Sequence, residues 1–265
     1  MDKQAVIVEF RRIVENLQSN NKDKKILDQI IKLSSEAKDI IGFDDPDFLR
    51  ILNSLETAIK FYVDSNKIKE CSVLAENYIG ILEEFNNPAE IISRSKNIAN
   101  SFFGKKESSY HIFMEDLLNR VTYFLDEKDQ IELLGDFLVA IGNNLHKLKI
   151  HELAVNYFDK GLNYFIDLNE NEKITVEIQK LLEIARDLAT KNDEFSRLYI
   201  ELVNKISRDA NIDINNEVSA QLAYQSYSDH LLKTSKNMVE SRVVHTGRIH
   251  KKKRDLFKKK GLKEE

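Results

Sequence analysis

The chain has 265 residues, of which 32% are charged and 42% hydrophobic, but it contains only 8 Gly and 2 Pro. A β-sandwich, a barrel or a doubly wound sheet needs many tight turns, and Gly and Pro are the residues that form them. We therefore exclude mostly-β and Rossmann-like folds and expect a soluble, helix-rich protein. The formal net charge of −4 is unevenly distributed, because residues 248–265 carry nine Lys or Arg against three Asp or Glu and leave residues 1–247 at −10.

Cysteine content and the N-terminus bear on the compartment. The one cysteine, Cys71, excludes an internal disulfide. Residues 1–4 lack the apolar core of a signal peptide. No segment approaches the roughly 18 consecutive apolar residues that a membrane-spanning helix requires. We expect a cytoplasmic protein.

Apolar residues recur at steps of three and four through almost the whole chain, which is the spacing of one buried helix face. The pattern predicts eleven or twelve helices of roughly 15 to 21 residues. In chain order, the predicted stripes contain Val6, Phe10, Ile13 and Leu17; Ile26, Ile30, Leu33, Ala37 and Ile40; Phe48, Leu52, Leu55, Ile59 and Val63; Ile68, Cys71, Ala75, Tyr78, Leu82 and Phe85; Phe113, Leu117, Val121 and Phe124; Ile131, Leu134, Leu138, Ile141 and Leu145; Ala154, Phe158, Gly161 and Phe165; Ile174, Ile178, Leu181, Ala185 and Leu188; and Phe195, Leu198, Leu202 and Ile206.

Short polar segments separate these stripes and have the composition of helix ends. Residues 44–47, Asp-Asp-Pro-Asp, predict a capping carboxylate followed by Pro at the first helical position. Residues 86–88, Asn-Asn-Pro, predict the same arrangement. Further turns are predicted at residues 19–21, 169–171, 192–193 and 211–213.

Grouped in twos, the helices form pairs that begin near residues 2, 44, 88, 128, 170 and 214, a spacing that indicates a repeat. One helical hairpin cannot bury its apolar face alone, so neighbouring hairpins must stack. We expect an all-α, right-handed α-solenoid of about six antiparallel helix pairs over residues 1–247, followed by a basic tail over residues 248–265. A closed helical bundle is the alternative.

One predicted pair carries a sequence pattern as well as a spacing. Small residues at Gly142, Ala154 and Gly161 alternate with larger ones, and the pattern resembles the tetratricopeptide repeat. Lys149 stands where that family often has Gly, and Ile166 where it has Pro. The matching positions are Leu138, Ile141, Gly142 and Leu145 on the first helix and Ala154, Phe158, Gly161 and Leu162 on the second.

The resemblance has consequences for layout and function. Repeats of about 42 residues exceed the usual tetratricopeptide unit, and the layout is similar to that of the soluble NSF attachment proteins. Family members bind extended peptides or partner helices on a concave surface formed by their first helices. The resemblance therefore implies a partner-binding surface that exposes Val139, Asn143, His146 and Lys147.

Motifs for catalysis or metal binding are incomplete. Gly104-Lys105-Lys106 lacks the upstream Gly and the Ser or Thr of a phosphate-binding loop. The alternating acids and amides of residues 209–217 resemble a calcium loop, but Ile214 and Ala220 replace its required Gly and Glu. The histidine pairs 146/151 and 245/250 are five residues apart, whereas stacking on one helix face needs four. We expect Cys71 to be a buried apolar residue, and we expect no cofactor, no metal and no small-molecule substrate.

The basic tail is the strongest local departure from the rest of the chain. It suits binding to nucleic-acid phosphates, binding to an anionic membrane with Leu256 and Phe257 inserted, or association with the acidic body, and a solvated terminus is the simplest interpretation. Its candidate anion-binding residues are Arg248, Lys251, Lys252, Lys253, Arg254, Lys258, Lys259 and Lys260.

Together these features predict a non-enzymatic scaffold or adaptor that holds a protein partner on its concave face. The alternative is a peripheral attachment factor that docks to an anionic membrane or nucleic acid through its tail. Residues 101–109, which include Phe102 and Phe103, mark either a break between two halves or an ordinary turn whose aromatic side chains cover the core.

Overall fold

The structure is a computed structural model that describes residues 2–19, 25–191 and 193–212. Within these residues it has ten α-helices and no β-strand, which confirms an all-α protein. The helices are α1 Lys3–Ser19, α2 Lys25–Ile41, α3 Phe48–Asp64, α4 Ile68–Phe85, α5 Pro88–Phe103, α6 Ser108–Glu127, α7 Ile131–Lys147, α8 His151–Asp167, α9 Asn171–Thr190 and α10 Ser196–Asp209.

The chain divides into two compact units, Met1–Leu168 and Asn169–Glu265. The described part of the second unit consists of α9 and α10, which pack against each other. In the first unit, α1 and α2, α3 and α4, α5 and α6, and α7 and α8 form four antiparallel pairs. The predicted boundary at residue 247 lies outside the described residues and stays a prediction.

Successive pairs of the first unit are in contact. The first helix of each pair contacts the first helix of the next, so α1 packs on α3, α3 on α5 and α5 on α7. The second helices do the same from α2 to α4 and from α4 to α6. The stripes of α1 to α7 therefore lie against both the partner helix and a neighbouring pair, as the stacking argument requires, whereas α8 packs on α7 alone within this unit.

Most predicted stripe residues are buried, one is exposed, and seven are half-buried, namely Ile68, Phe85, Phe113, Phe124, Ile131, Phe195 and Leu198. Ile40 is 38% exposed, and its neighbour Ile41 is buried instead. In α6 the buried position is Leu125 and not Phe124, which is half-buried. At Ile40 and Phe124 the cause is the same, since the stripe advances by four residues at these points where three were assumed.

Helix ends are formed by single residues with left-handed backbone conformation. Such residues follow α3, α4, α6, α7, α8 and α10, close to 20 residues apart over much of the chain. At the end of α7, Lys149 has a φ of 63°, and the next amide, that of Ile150, donates to the carbonyl of Leu145 at 2.9 Å. This is the Schellman closure, in which Gly is usual. The six residues are Asn66, Asn86, Asp129, Lys149, Asn169 and Asn211.

The two predicted proline caps differ in detail. Asn87 accepts a hydrogen bond from the amide of Glu90 at 3.3 Å, with Pro88 as the first residue of α5, as predicted. Before α3, the Asp45 carboxylate accepts a hydrogen bond from the amide of Asp47 at 2.9 Å. Asp45 therefore caps the turn that precedes the helix, and α3 begins only at Phe48.

The same turn is tied to the N-terminus of α1. Lys3 Nζ lies 2.5 Å from a carboxylate oxygen of Asp45 and 2.8 Å from one of Asp47. The hydrogen bond from Lys3 is the largest cause that lowers the pKa of Asp45, and the two carboxylates raise the pKa of Lys3. The pair thus joins the first hairpin to the start of the second.

Within residues 101–109, residues 104–107 form an ordinary turn between α5 and α6. Phe102 and Phe103 are buried, and the ring of Phe102 lies 5.9 Å from that of Tyr110. The division between the compact units falls instead after Leu168. Of the two alternatives for this segment, the turn with core-covering aromatic residues is therefore confirmed.

Three glycines let α7 and α8 approach closely. A Cβ atom on Gly161 would lie 2.8 Å from Val139 Cγ2 and 2.9 Å from the carbonyl oxygen of Gly135. A Cβ atom on Gly142 would lie 3.0 Å from the ring of Phe158. Any side chain at these positions would force the helices apart, so the small residues are explained by packing.

We predict that Gly161→Ala lowers the free energy of unfolding by about 1–3 kcal/mol, since the added methyl group meets backbone atoms that cannot move independently. Gly80→Ala is the matched control, because a Cβ there meets only the end of the Arg120 side chain, at 3.5 Å. The control should gain up to about 1 kcal/mol from helix propensity. Urea denaturation followed by circular dichroism measures both, and equal effects would contradict the close-packing account.

Candidate binding groove

A groove with a volume of about 510 Å³ lies between α3 and α5, the first helices of two adjoining pairs. Both helices belong to the first compact unit. Seven of the nine lining residues are polar or charged. The lining consists of Asn53, Glu56, Thr57, Ile59, Lys60, Asn97, Ile98, Asn100 and Ser101.

Helix periodicity explains why these residues share the groove. On α3, Asn53, Thr57 and Lys60 follow one another at steps of four and three, and all three are exposed. On α5, Asn97 and Asn100 are exposed in the same way. The groove thus has amide- and hydroxyl-bearing walls.

The floor of the groove is apolar. Ile59 is 1% exposed and Ile98 is 3% exposed, and both belong to the buried stripes of their helices. On α3 and α5, one face therefore packs in the core and the neighbouring face forms a polar wall of the groove.

Arg94, on α5, lies beneath the α3 wall with its side chain only 10% exposed. Its Nη1 donates to Glu56 Oε1 at 2.6 Å and to Asn53 Oδ1 at 3.1 Å. Its Nε donates to Glu90 Oε2 at 2.7 Å on the same helix. A buried guanidinium requires such partners, because burial of an unpaired charge is strongly unfavourable.

Tyr78 of α4 completes this cluster from the second layer of helices. Its hydroxyl donates to Glu56 Oε1 at 2.5 Å, and the side chain is fully buried. Burial, followed by the charge of Glu56, raises the pKa of Tyr78, which keeps the phenol protonated. Burial disfavours the charge of Arg94, but its contacts with Tyr78 and Glu56 outweigh this and raise its pKa, so the guanidinium stays charged.

The structure places the sequence-predicted residues on α7, away from this groove's lining. The prediction that Val139 is exposed is wrong: Val139 is 6% exposed and packs against Gly161 of α8. The absence of a side chain on Gly161 lets α8 cover this face of α7. Asn143 is half-buried, and its amide donates to the carbonyl of Val139 in its own helix at 3.1 Å.

The other two predicted residues of α7 remain accessible. His146 is half-buried, and its ring lies 5.3 Å from that of His151, which is buried at the start of α8. Lys147 is exposed at the end of the helix. Nothing observed here tests a binding role for the α7 residues, which stays a prediction.

Several predictions fall on residues that the structure does not describe. They concern the tail residues Arg248 to Lys260, the histidines 245 and 250, and positions 213–217 of the calcium-like motif. Among the described residues, no group of three or more His, Cys, Asp or Glu is arranged to hold a metal ion. Over the same part of the chain, no helix combines the length and the apolar character needed to cross a membrane.

Cys71 lies in the core, as its place in an apolar stripe predicted. Its side chain is fully buried and contacts the carbonyl of Ile68 at 3.4 Å. Burial raises the pKa of the thiol to about 12, so it is protonated at neutral pH and unreactive as a nucleophile.

Sequence analysis missed the groove and the cluster beneath it, although a signal was present. In α5 the stripe Ile91, Ile98 and Phe102 is interrupted by Arg94 and Ser95, so a charged residue occupies a core position. A cation on a buried helix face indicates buried acceptors on a neighbouring helix. The sequence does not show which acceptors these are.

Comparison with known proteins assigns no family to the chain. No protein-family model matches it, and no curated protein or solved structure gives a significant match.

We predict that Arg94→Met lowers the free energy of unfolding by about 2–3 kcal/mol, because Glu56 and Glu90 lose a buried counter-charge. Arg50→Met on α3 is the control. The Arg50 side chain is 61% exposed and pairs only with Asp47 of its own turn, so a loss below about 1 kcal/mol is expected. Chemical denaturation measures the free energy of unfolding of both variants. Similar losses in the two variants would show that the Arg94 cluster stabilises the fold no more than an exposed ion pair does.

Proposed function

We propose that the chain is a non-enzymatic adaptor of the cytoplasm, whose helix pairs stack as a right-handed α-solenoid and whose first helices hold an extended segment of a protein partner. The chain-order contacts among α1, α3, α5 and α7 support this arrangement, since a solenoid brings the first helices of consecutive repeats side by side. The regular spacing of the helix starts supports it as well.

The composition of the α3–α5 groove carries the functional part of the proposal. Pockets for small molecules are lined predominantly by apolar and aromatic side chains. Here the walls are amide, hydroxyl and charged groups, with isoleucines only at the floor. An asparagine side chain offers both a donor and an acceptor, which matches the carbonyl and amide groups of an extended main chain.

The resemblance to the tetratricopeptide repeat is part of the same proposal. Close packing through Gly142, Ala154 and Gly161 is compatible with that family, but small residues serve close helix crossings in other helical proteins too. Asn143, His146 and Lys147 lie on the first helix of the fourth pair and are proposed as a second contact region for the partner.

A second candidate function rests on the charge of the tail. Nine basic residues within residues 248–265 favour docking to an anionic membrane or nucleic acid. In this alternative the helical body is a carrier and the tail supplies attachment.

We predict that peptides selected on the wild-type protein from a random 12-residue phage library bind at least tenfold more weakly to Asn97→Ala/Asn100→Ala. Loss of main-chain hydrogen bonds from the groove wall accounts for this effect, and tenfold corresponds to about 1.4 kcal/mol. Asn119→Ala, an exposed asparagine of α6, is the matched control and should bind normally. Calorimetric titration measures all three proteins. Unchanged affinity in the double variant would contradict the groove as the binding site.

We predict that deletion of residues 248–265 leaves the affinity for these peptides unchanged. The alternative function predicts instead that the full chain sediments with vesicles containing phosphatidylserine or shifts single-stranded RNA, and that deletion abolishes this at low salt. Such binding should weaken steeply between 50 and about 200 mM salt, as expected for phosphate contacts. Tail-dependent binding together with no peptide selection would favour the attachment factor over the adaptor.

A further inference from the structure

Arg94 touches two groove residues from their buried side. A single nitrogen, Nη1, donates to Asn53 Oδ1 at 3.1 Å and to Glu56 Oε1 at 2.6 Å. Arg94 itself does not line the groove, because its side chain is only 10% exposed. It therefore acts on a ligand through the residues that it holds.

This contact determines which atoms the α3 wall offers. An asparagine amide has one oxygen acceptor and two N–H donors. Because Oδ1 of Asn53 is directed to Arg94, its Nδ2 is the group available to a ligand. Oε1 of Glu56 accepts hydrogen bonds from both Arg94 Nη1 and the hydroxyl of Tyr78. The other carboxylate oxygen, Oε2, is therefore the acceptor that remains for a ligand.

The guanidinium is itself held in place. Its Nε bond to Glu90 Oε2 at 2.7 Å and its Nη1 bonds to α3 use two edges of one rigid plane. A lysine at this position would keep the charge, but its single ammonium group could not span Glu90 on α5 and both acceptors on α3 with the same geometry.

Asn53 and Glu56 are three residues apart, so their side chains are neighbours one helical turn apart on α3. The wall thus presents a neutral donor followed by an anionic acceptor. We propose that Arg94 is a positioning residue that sets this polarity, and that the groove selects peptides which offer a main-chain carbonyl to Asn53 and a Lys or Arg side chain to Glu56. The peptide part of this inference rests on the proposed function.

The positioning role is tested by nuclear magnetic resonance of the Asn53 side chain, assigned through its disappearance in Asn53→Ala. We expect Arg94→Lys to move the Asn53 ¹³Cγ and ¹⁵Nδ2 resonances toward those of Asn100, an exposed asparagine of the same groove. Arg50→Lys is the matched control, because it makes the same substitution at an exposed arginine of α3 that pairs with Asp47 and not with Asn53. Resonances that stay in place in Arg94→Lys, or that move equally in both variants, would overturn the positioning role.

Peptide selectivity is tested with the same random 12-residue library. Peptides selected on the wild type should share a Lys or Arg at one position, and selection on Glu56→Gln should lose that preference. Arg94→Lys should weaken the wild-type peptides at least tenfold, and the control Arg50→Lys less than threefold. A basic preference that survives in Glu56→Gln, or unchanged affinity in Arg94→Lys, would overturn the selectivity. If the wild type selects no peptide, the proposed function and the selectivity fail, while the resonance measurement still decides the role of Arg94.

Discussion

Helices α1 to α7 of the first unit each have one apolar stripe that the partner helix covers only in part, and the architecture follows from this constraint. Leu52 and Leu55 on α3 are fully buried because α3 packs on α1 and α5 as well as on α4. Stacking in chain order satisfies this need for every interior pair. It also leaves the opposite, polar faces of neighbouring first helices beside each other, and the α3–α5 groove is the space between two such faces.

Among the described residues, Arg94 is the one buried residue of the Lys, Arg, Asp and Glu types, and it links the core to the groove. Its charge lies on the buried stripe of α5 and is compensated by Glu56 of α3 and Glu90 of its own helix. Tyr78 of α4 donates to the same carboxylate oxygen. Three helices thus meet at one polar point, so the relative position of the two hairpins and the orientation of the groove wall depend on the same few hydrogen bonds.

Local features were largely predictable from sequence, and features set by a neighbouring helix were not. The asparagine cap before α5 and the burial of Cys71 follow from local composition and periodicity, and both were predicted. The resemblance to the tetratricopeptide repeat implied an exposed Val139, but its burial is set by the neighbouring helix, where the missing side chain of Gly161 lets α8 cover it. Arg94 was overlooked for the same reason, since its acceptor Glu56 lies 38 residues earlier in the chain.

A crystal structure of the chain bound to a selected peptide tests the central claim most directly, namely that the faces left over by helix stacking form the binding surface. The account predicts an extended peptide between α3 and α5, with its main chain bonded to Asn53, Asn97 or Asn100 and the Arg94 cluster unchanged beneath it. A peptide bound elsewhere on the chain, or a body in which α3 and α5 are not neighbours, would contradict it.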